Sequence, residues 1–194
     1  MRSATNAAAH AATDAATNAE THAAMHQPDA LRYTVIDSPV GPLLLAADDA
    51  HLQVLEFETP AHPVKRSAGW REGRNAVIDA AHAQLDEYFA GKRRDFDLPL
   101  APQGTEFQRG VWWALADIPY GRTISYAQLA TRIGKPAATR AVGAANGRNP
   151  LSIVLPCHRV IGADGSLTGY GGGLPIKTFL LALEGAVPAA PTLL

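Results

Sequence analysis

Residues 125–146 read SYAQLATRIGKPAATRAVGAAN, and their reading decides how the C-terminal half folds. Ser125-Tyr126-Ala127-Gln128 is a capping box, in which the serine oxygen accepts from the amide three residues on and the glutamine side chain reaches back. It opens a short helix through Leu129, Ala130 and Ile133, which Gly134 stops before Lys135-Pro136 turns the chain. A second helix, roughly 137–146, carries Arg140-Ala141-Val142-Gly143-Ala144-Ala145. Two short helices joined by a tight glycine-containing turn form a helix-turn-helix.

Upstream, Thr105-Glu106-Phe107-Gln108 is another capping box, opening a helix that buries Phe107, Val111, Ala114, Leu115 and Ile118 and ends at Pro119. Residues 99–104 read as a linker and place a boundary near residue 100. Before it, strand-forming runs at 33–36, 43–45 and 52–57 are separated by turn residues at 38–42 and 48–50, which predicts an antiparallel meander. Residues 76–89 then place Val77, Ala80, Ala81, Leu85, Tyr88 and Phe89 at helical spacing, with Gly91 as a stop. The expected fold is an α/β N-terminal domain over 30–100, an antiparallel sheet plus one helix, followed by a mostly helical domain over 101–187. Residues 1–29 are dominated by Ala, Thr, Asn and His and read as a disordered tail, and 188–194 as a short tail. His10, His22 and His26 lack a regular ligand spacing, so no metal site is expected there.

Composition narrows the class. With 47% apolar residues the chain can bury a core, and it contains no apolar run of membrane-spanning length. The N-terminus lacks the basic-then-apolar order of a secretory signal, so a cytoplasmic location is expected, where a thiol stays reduced. Residues 1–99 hold 9 Lys+Arg against 14 Asp+Glu, and residues 100–194 hold 8 against 4. The basic second half fits a polyanionic partner and equally fits an ordinary solvated surface. The second helix of the helix-turn-helix offers no array of side chains to read base edges. Its small residues would let the backbone approach a narrow groove with Arg140 as a wedge; the alternative is a buried small-residue helix with Arg140 in solvent.

Cys157 is the chain's single cysteine and stands in Ile153-Val154-Leu155-Pro156-Cys157-His158-Arg159-Val160. It forms no internal disulfide and no multi-cysteine zinc site, so it is either a buried, inert side chain or a reactive one. A nucleophilic cysteine needs a base or a nearby cation, because an ordinary thiol is only a few per cent ionised at neutral pH. His158 is adjacent, but neighbours on an extended strand point to opposite faces. With 151–155 read as the strand that delivers Pro156, a working Cys-His pair requires a turn at Cys157. Gly169-Tyr170-Gly171-Gly172-Gly173 lacks the spacing of a phosphate loop or dinucleotide fingerprint and reads as a pocket wall. In the last helix, about 175–184, Ile176, Phe179, Leu180 and Leu183 are the apolar positions. Glu184 sits at the end that the helix dipole disfavours for a carboxylate. Orienting a histidine would give it a task; a solvated helix end is the alternative.

Pro156-Cys157-His158-Arg159-Val160, with Arg148-Asn149-Pro150 before it and Gly169-Tyr170-Gly171-Gly172-Gly173 and Leu183-Glu184-Gly185 after it, resembles the O6-alkylguanine-DNA alkyltransferases (methylated-DNA–protein-cysteine methyltransferases), bacterial type. The resemblance implies a ribonuclease H-like N-terminal domain and a winged helix-turn-helix-like C-terminal domain. It implies direct, irreversible, single-use transfer of an alkyl group from O6-alkylguanine, and from O4-alkylthymine, in double-stranded DNA to Cys157. His158 would act as base through a water, Glu184 would orient His158, and Asn149 would brace the turn. Tyr126, Lys135, Arg140, Ala141 and Gly143 would meet DNA, with Arg140 filling the space of an extruded nucleotide and Tyr126 helping to rotate it and to protonate the leaving guanine. Val160 and Tyr170 would line the base pocket. It further implies no cofactor, no metal, no membrane partner and a monomer. Ala163 stands where many relatives have a polar or basic residue, and the zinc site or second acceptor thiol of some relatives has no counterpart here. A non-catalytic damage sensor and a Cys-His hydrolase are the competing readings.

Overall fold

The computed structural model of the chain describes residues 30–188, so the expected tails at 1–29 and, Pro188 excepted, 188–194 lie outside it. Strands β1 (Arg32–Ile36), β2 (Leu43–Ala47) and β3 (Leu52–Phe57) form the expected antiparallel meander, and β4 (Arg71–Glu72) adds in parallel beside β1 to give the order β3-β2-β1-β4. The β4 residues, two exposed charged side chains, carry no strand pattern to read. Helix α1 (Ala76–Phe89) packs on the sheet through Ile78, Ala81, Leu85 and Tyr88, all fully buried. Burying large apolar side chains of this kind stabilises by about 1.5–3 kcal/mol each. Asn75 ties the helix down at its start: its side chain accepts from Ile78 N at 3.0 Å and donates to Asp48 O, in the β2–β3 turn, at 2.8 Å.

Residues 99–104 are not a free linker. Leu52 N donates to Pro99 O and Ala101 N to Leu52 O, so the chain pairs with the outer edge of β3 as it leaves the sheet domain. The same edge continues into the second domain, where Leu55 N donates to Pro150 O at 2.7 Å and Ser152 N to Leu55 O at 3.0 Å. One core cluster runs through both halves.

Both capping boxes form. Thr105 and Gln108 open α2 (Glu106–Ala116), and Ser125 and Gln128 open α3 (Tyr126–Arg132). After Gly134, a 3-10 turn (Pro136–Ala138) leads into α4 (Thr139–Asn146), so the helix expected from 137 starts two residues later. Trp112, outside the expected apolar stripe of α2, is buried and donates its ring N–H to Ala145 O at 2.8 Å, capping α4 from the side. Strands β5 (Ile124–Ser125) and β6 (Val160–Ile161) pair in parallel and set the start of α3 beside the Cys157 segment. The last helix, α5, spans Leu174–Leu183.

Two further expectations fail. Residues 151–155 are not a strand: only Leu151 bridges to Leu55, and a tight turn follows. Apolar character here reflects burial of a turn, which a short apolar run does not distinguish from a buried strand. The apolar stripe of α5 is also displaced, since Lys177, Leu180 and Leu181 face inward while Phe179 is 39% exposed.

Replacing Ser125 by Ala removes the oxygen that caps α3. The urea midpoint should drop by the equivalent of about 1 kcal/mol with an unchanged slope, as expected for loss of an N-cap.

Candidate active site

The site is built on the turn that replaces the expected strand. Ile153 has φ 71°, the only non-glycine residue with positive φ among the described residues. For a β-branched side chain this costs on the order of 1–3 kcal/mol and persists only where surroundings enforce it. Here Leu155 N donates to Leu151 O at 2.9 Å, Leu151 N donates to Asn149 Oδ1 at 3.1 Å, and Asn149 Nδ2 donates to Leu155 O at 2.7 Å. The Ile153 side chain is itself buried. Asn149 thus bridges both ends of the turn.

The turn delivers Cys157–Arg159 as a single 3-10 turn, which meets the need for a bend at the thiol. Cys157 is 4% exposed and His158 fully buried. Burial pushes the thiol up from its ordinary value, against the pull of the Asn149 side chain and the Lys177 charge. Burial likewise lowers His158, against the raising effect of Glu184. At neutral pH the pair therefore rests as thiol and neutral imidazole.

Glu184, at the end of α5, is the hub. Its Oε1 lies 2.9 Å from His158 Nε2 and accepts from Arg159 Nη2 at 2.9 Å and from the Tyr88 hydroxyl at 2.8 Å. Its Oε2 accepts from Arg159 Nε at 2.9 Å and from Gly121 N at 3.1 Å. Gly121 has φ 71°, and a Cβ there would stand 2.8 Å from Glu184 O, so no other residue fits this approach without displacement. Burial raises the carboxyl, but the bonds from His158 and Arg159 outweigh it and hold Glu184 at about 2. A carboxylate only accepts, so His158 Nε2 must carry the proton and Nδ1 bears the lone pair. Nδ1 is buried and has no hydrogen-bond partner among the described residues.

Further buried residues complete the site. Lys177 is fully buried; its Nζ donates to Val160 O at 2.6 Å and Thr168 O at 2.9 Å, and burial lowers it to about 8. Asn146 Nδ2 reaches Cys157 O at 3.5 Å. Val160 is buried, and Tyr170 stands edge-on to the His158 ring with centroids 6.5 Å apart. Burial, followed by the proximity of Cys157, keeps Tyr170 a phenol. Phe57 and His62 of the first domain line a cleft of about 10 Å³ beside Cys157, Asn149 and Gly171, room for about one water. Ala61 N donates to Gly171 O at 2.9 Å, tying the first domain to the glycine loop.

The remaining residues singled out from sequence lie outside this buried cluster. Tyr126 is half-buried and its hydroxyl donates to Thr168 O at 3.1 Å and Gly169 O at 3.3 Å, joining α3 to the glycine loop. Gly143 lies under the Tyr126 ring. Lys135, Arg140 and Ala141 are exposed. Arg159, Lys177, Asn146 and Tyr88 were not singled out as functional. Lys177 had a readable signal, since 177, 180, 181 and 184 share one helical face with Glu184.

Comparisons with known proteins converge. The model of the 6-O-methylguanine DNA methyltransferase ribonuclease-like domain matches residues 31–102, and that of the DNA binding domain of the same methyltransferase matches residues 106–186. A methylated-DNA–protein-cysteine methyltransferase of Methanosarcina barkeri is 53% identical over 152 residues, 78% of this chain and 96% of the relative. One of Mycolicibacterium paratuberculosis is 53% identical over 154 residues, 79% of this chain and 92% of the relative. The crystal structure of Mycobacterium tuberculosis OGT in complex with DNA is 48% identical and superposes with a TM-score of 0.75, covering 80% of this chain and 93% of that one.

Glu184→Gln should destabilise the protein by about 3–5 kcal/mol at pH 7 in urea unfolding, because it leaves the Arg159 guanidinium buried without its anion. The ionised carboxylate stabilises fully above the ordinary carboxyl value of 4.5, and that stability fades as pH falls through about 2. The wild type should therefore lose about 3 kcal/mol over that interval, and the variant should lose much less.

Proposed function

Because the chain belongs to the 6-O-methylguanine DNA methyltransferase family, we propose that it repairs DNA by taking the alkyl group of O6-alkylguanine, and of O4-alkylthymine, onto Cys157. One observation carries this reading: the only cysteine shares a turn with a buried histidine whose Nε2 is held by Glu184 and whose Nδ1 has no partner among the described residues. The relatives' names point to methylated DNA and O6-methylguanine; the site supplies a chemistry that fits them.

His158 Nδ1 accepts the Cys157 proton through a water. As Sγ bonds to the alkyl carbon, that carbon's bond to O6 breaks and the electron pair goes to O6. The guanine regains a proton, with the Tyr126 hydroxyl as its relay. The thioether left on Cys157 has no easy leaving group, so each molecule acts once. Raising the thiol and lowering the imidazole keeps the resting Cys157–His158 pair uncharged, which limits wasteful alkylation of a protein that cannot be regenerated.

The target atom is inaccessible within stacked duplex, so the nucleotide must leave the helix. Helices α3 and α4 act as the helix-turn-helix, with the exposed face of Arg140, Ala141 and Ala144 in the minor groove, Arg140 in the space of the extruded base and Lys135 on phosphate. Val160 and Tyr170 form the walls against which the guanine lies. The protein acts as a monomer in the cytoplasm, where its thiol stays reduced; among the described residues no helix is long and apolar enough to cross a membrane.

Duplex DNA carrying O6-methylguanine labelled in the methyl group should leave one label per protein molecule, on the peptide that contains Cys157, with no turnover after the first equivalent. Cys157→Ser should bind the same DNA and acquire no label. Bound DNA with an unlabelled wild-type protein would make the chain a damage sensor, and repeated turnover would make it a hydrolase.

A further inference from the structure

The N-terminal domain supplies one of the five donors to Glu184. Tyr88 lies in the last turn of α1, 96 residues away in sequence, and is fully buried. Its hydroxyl donates at 2.8 Å to Oε1, the oxygen that also meets His158 Nε2. The ring is held by Phe89 and Phe96, each with its centroid 5.4 Å away, and by Tyr120 at 6.3 Å. Burial and the Glu184 charge keep the phenol protonated, so it is a permanent donor.

We propose that Tyr88 is a positioning residue for the transfer: by engaging Glu184 Oε1 it sets how strongly that carboxylate polarises His158, so the sheet domain tunes the base that activates Cys157. Each donor on Oε1 draws charge away from the oxygen facing His158, and removing the Tyr88 hydroxyl leaves more of that charge to stabilise an imidazolium. The other ionisable groups around the pair are Arg159 on the same turn, Lys177 on α5, Cys157 and Tyr170 beside the ring, and Tyr120 near the carboxylate. All of these side chains stay in place when one oxygen is removed from Tyr88, and Tyr170 among them also feels the Tyr88 phenol directly. This inference rests on the proposed transfer to Cys157 and adds a role for the first domain within it.

The test is the pH dependence of single-turnover transfer from O6-methylguanine DNA by the full chain. In the wild type the rate should fall on the acid side as His158 takes a proton. In Tyr88→Phe that limb should move up by about half a pH unit or more, while the rate on the alkaline plateau changes less. Phe96→Leu loosens packing on the same ring and leaves the hydrogen bond in place, so it should lower stability without moving the limb. Difluorotyrosine introduced at position 88, a stronger donor, should move the limb down. An unmoved limb in both Tyr88→Phe and the fluorinated protein, or an equal shift in Phe96→Leu, would overturn the proposal. A wild type that carries no label on Cys157 would instead refute the transfer reading beneath it.

Discussion

A carboxylate buried at the end of a helix is the constraint around which this molecule is arranged. Glu184 sits where the helix dipole opposes its charge and where no water shields it, so its ionised form survives only with a full set of donors. These come from three places in the chain: the Cys157–Arg159 turn, which supplies the His158 ring and the two-point grip of the Arg159 guanidinium, the glycine turn after α2, and α1 of the sheet domain. Taking any one away leaves the others facing a less well balanced charge. The carboxylate in turn dictates which nitrogen of His158 bears hydrogen, and so leaves the other nitrogen free to act as a base.

Around that hub the protein combines two opposed requirements. A thiol used once must not be lost to stray electrophiles, so it is buried and protonated; yet it must be deprotonated when a substrate arrives. The strained Ile153 turn, braced by Asn149 and by the edge of β3, holds Cys157 and His158 on one short bend. Lys177 stands behind the thiol as a cation that favours sulfur charge once it develops, while its bonds to Val160 O and Thr168 O fix the strand and loop flanking the pocket. β3 contacts both the chain leaving the sheet domain and the active-site turn, so the two halves share one core and one catalytic framework.

Much of this was legible in the residues, and the failures have physical causes. The capping boxes at Thr105 and Ser125 are local chemistry with fixed spacing, and the hairpins of the meander are bracketed by turn residues; both appear as read. Residues 151–155 misled because a buried turn is as apolar as a buried strand. The stripe of α5 misleads because apolarity does not mark the inner face there: Lys177 and Glu184 are buried with their partners. Glu184, His158 and Asn149 were drawn from a motif resemblance, and the structure brings all three to the Cys157 turn. Tyr88 was read only as a core residue, since no local pattern reveals a hydrogen bond formed across 96 residues of sequence.

The most direct measurement is nitrogen-15 NMR of the His158 ring in the free protein across pH 5 to 8. If Glu184 governs the site as argued, Nε2 carries the proton at pH 7, Nδ1 resonates as a bare ring nitrogen, and the ring charges only below its ordinary value of 6.5. A proton on Nδ1, or an imidazolium at pH 7, would contradict the account at its centre.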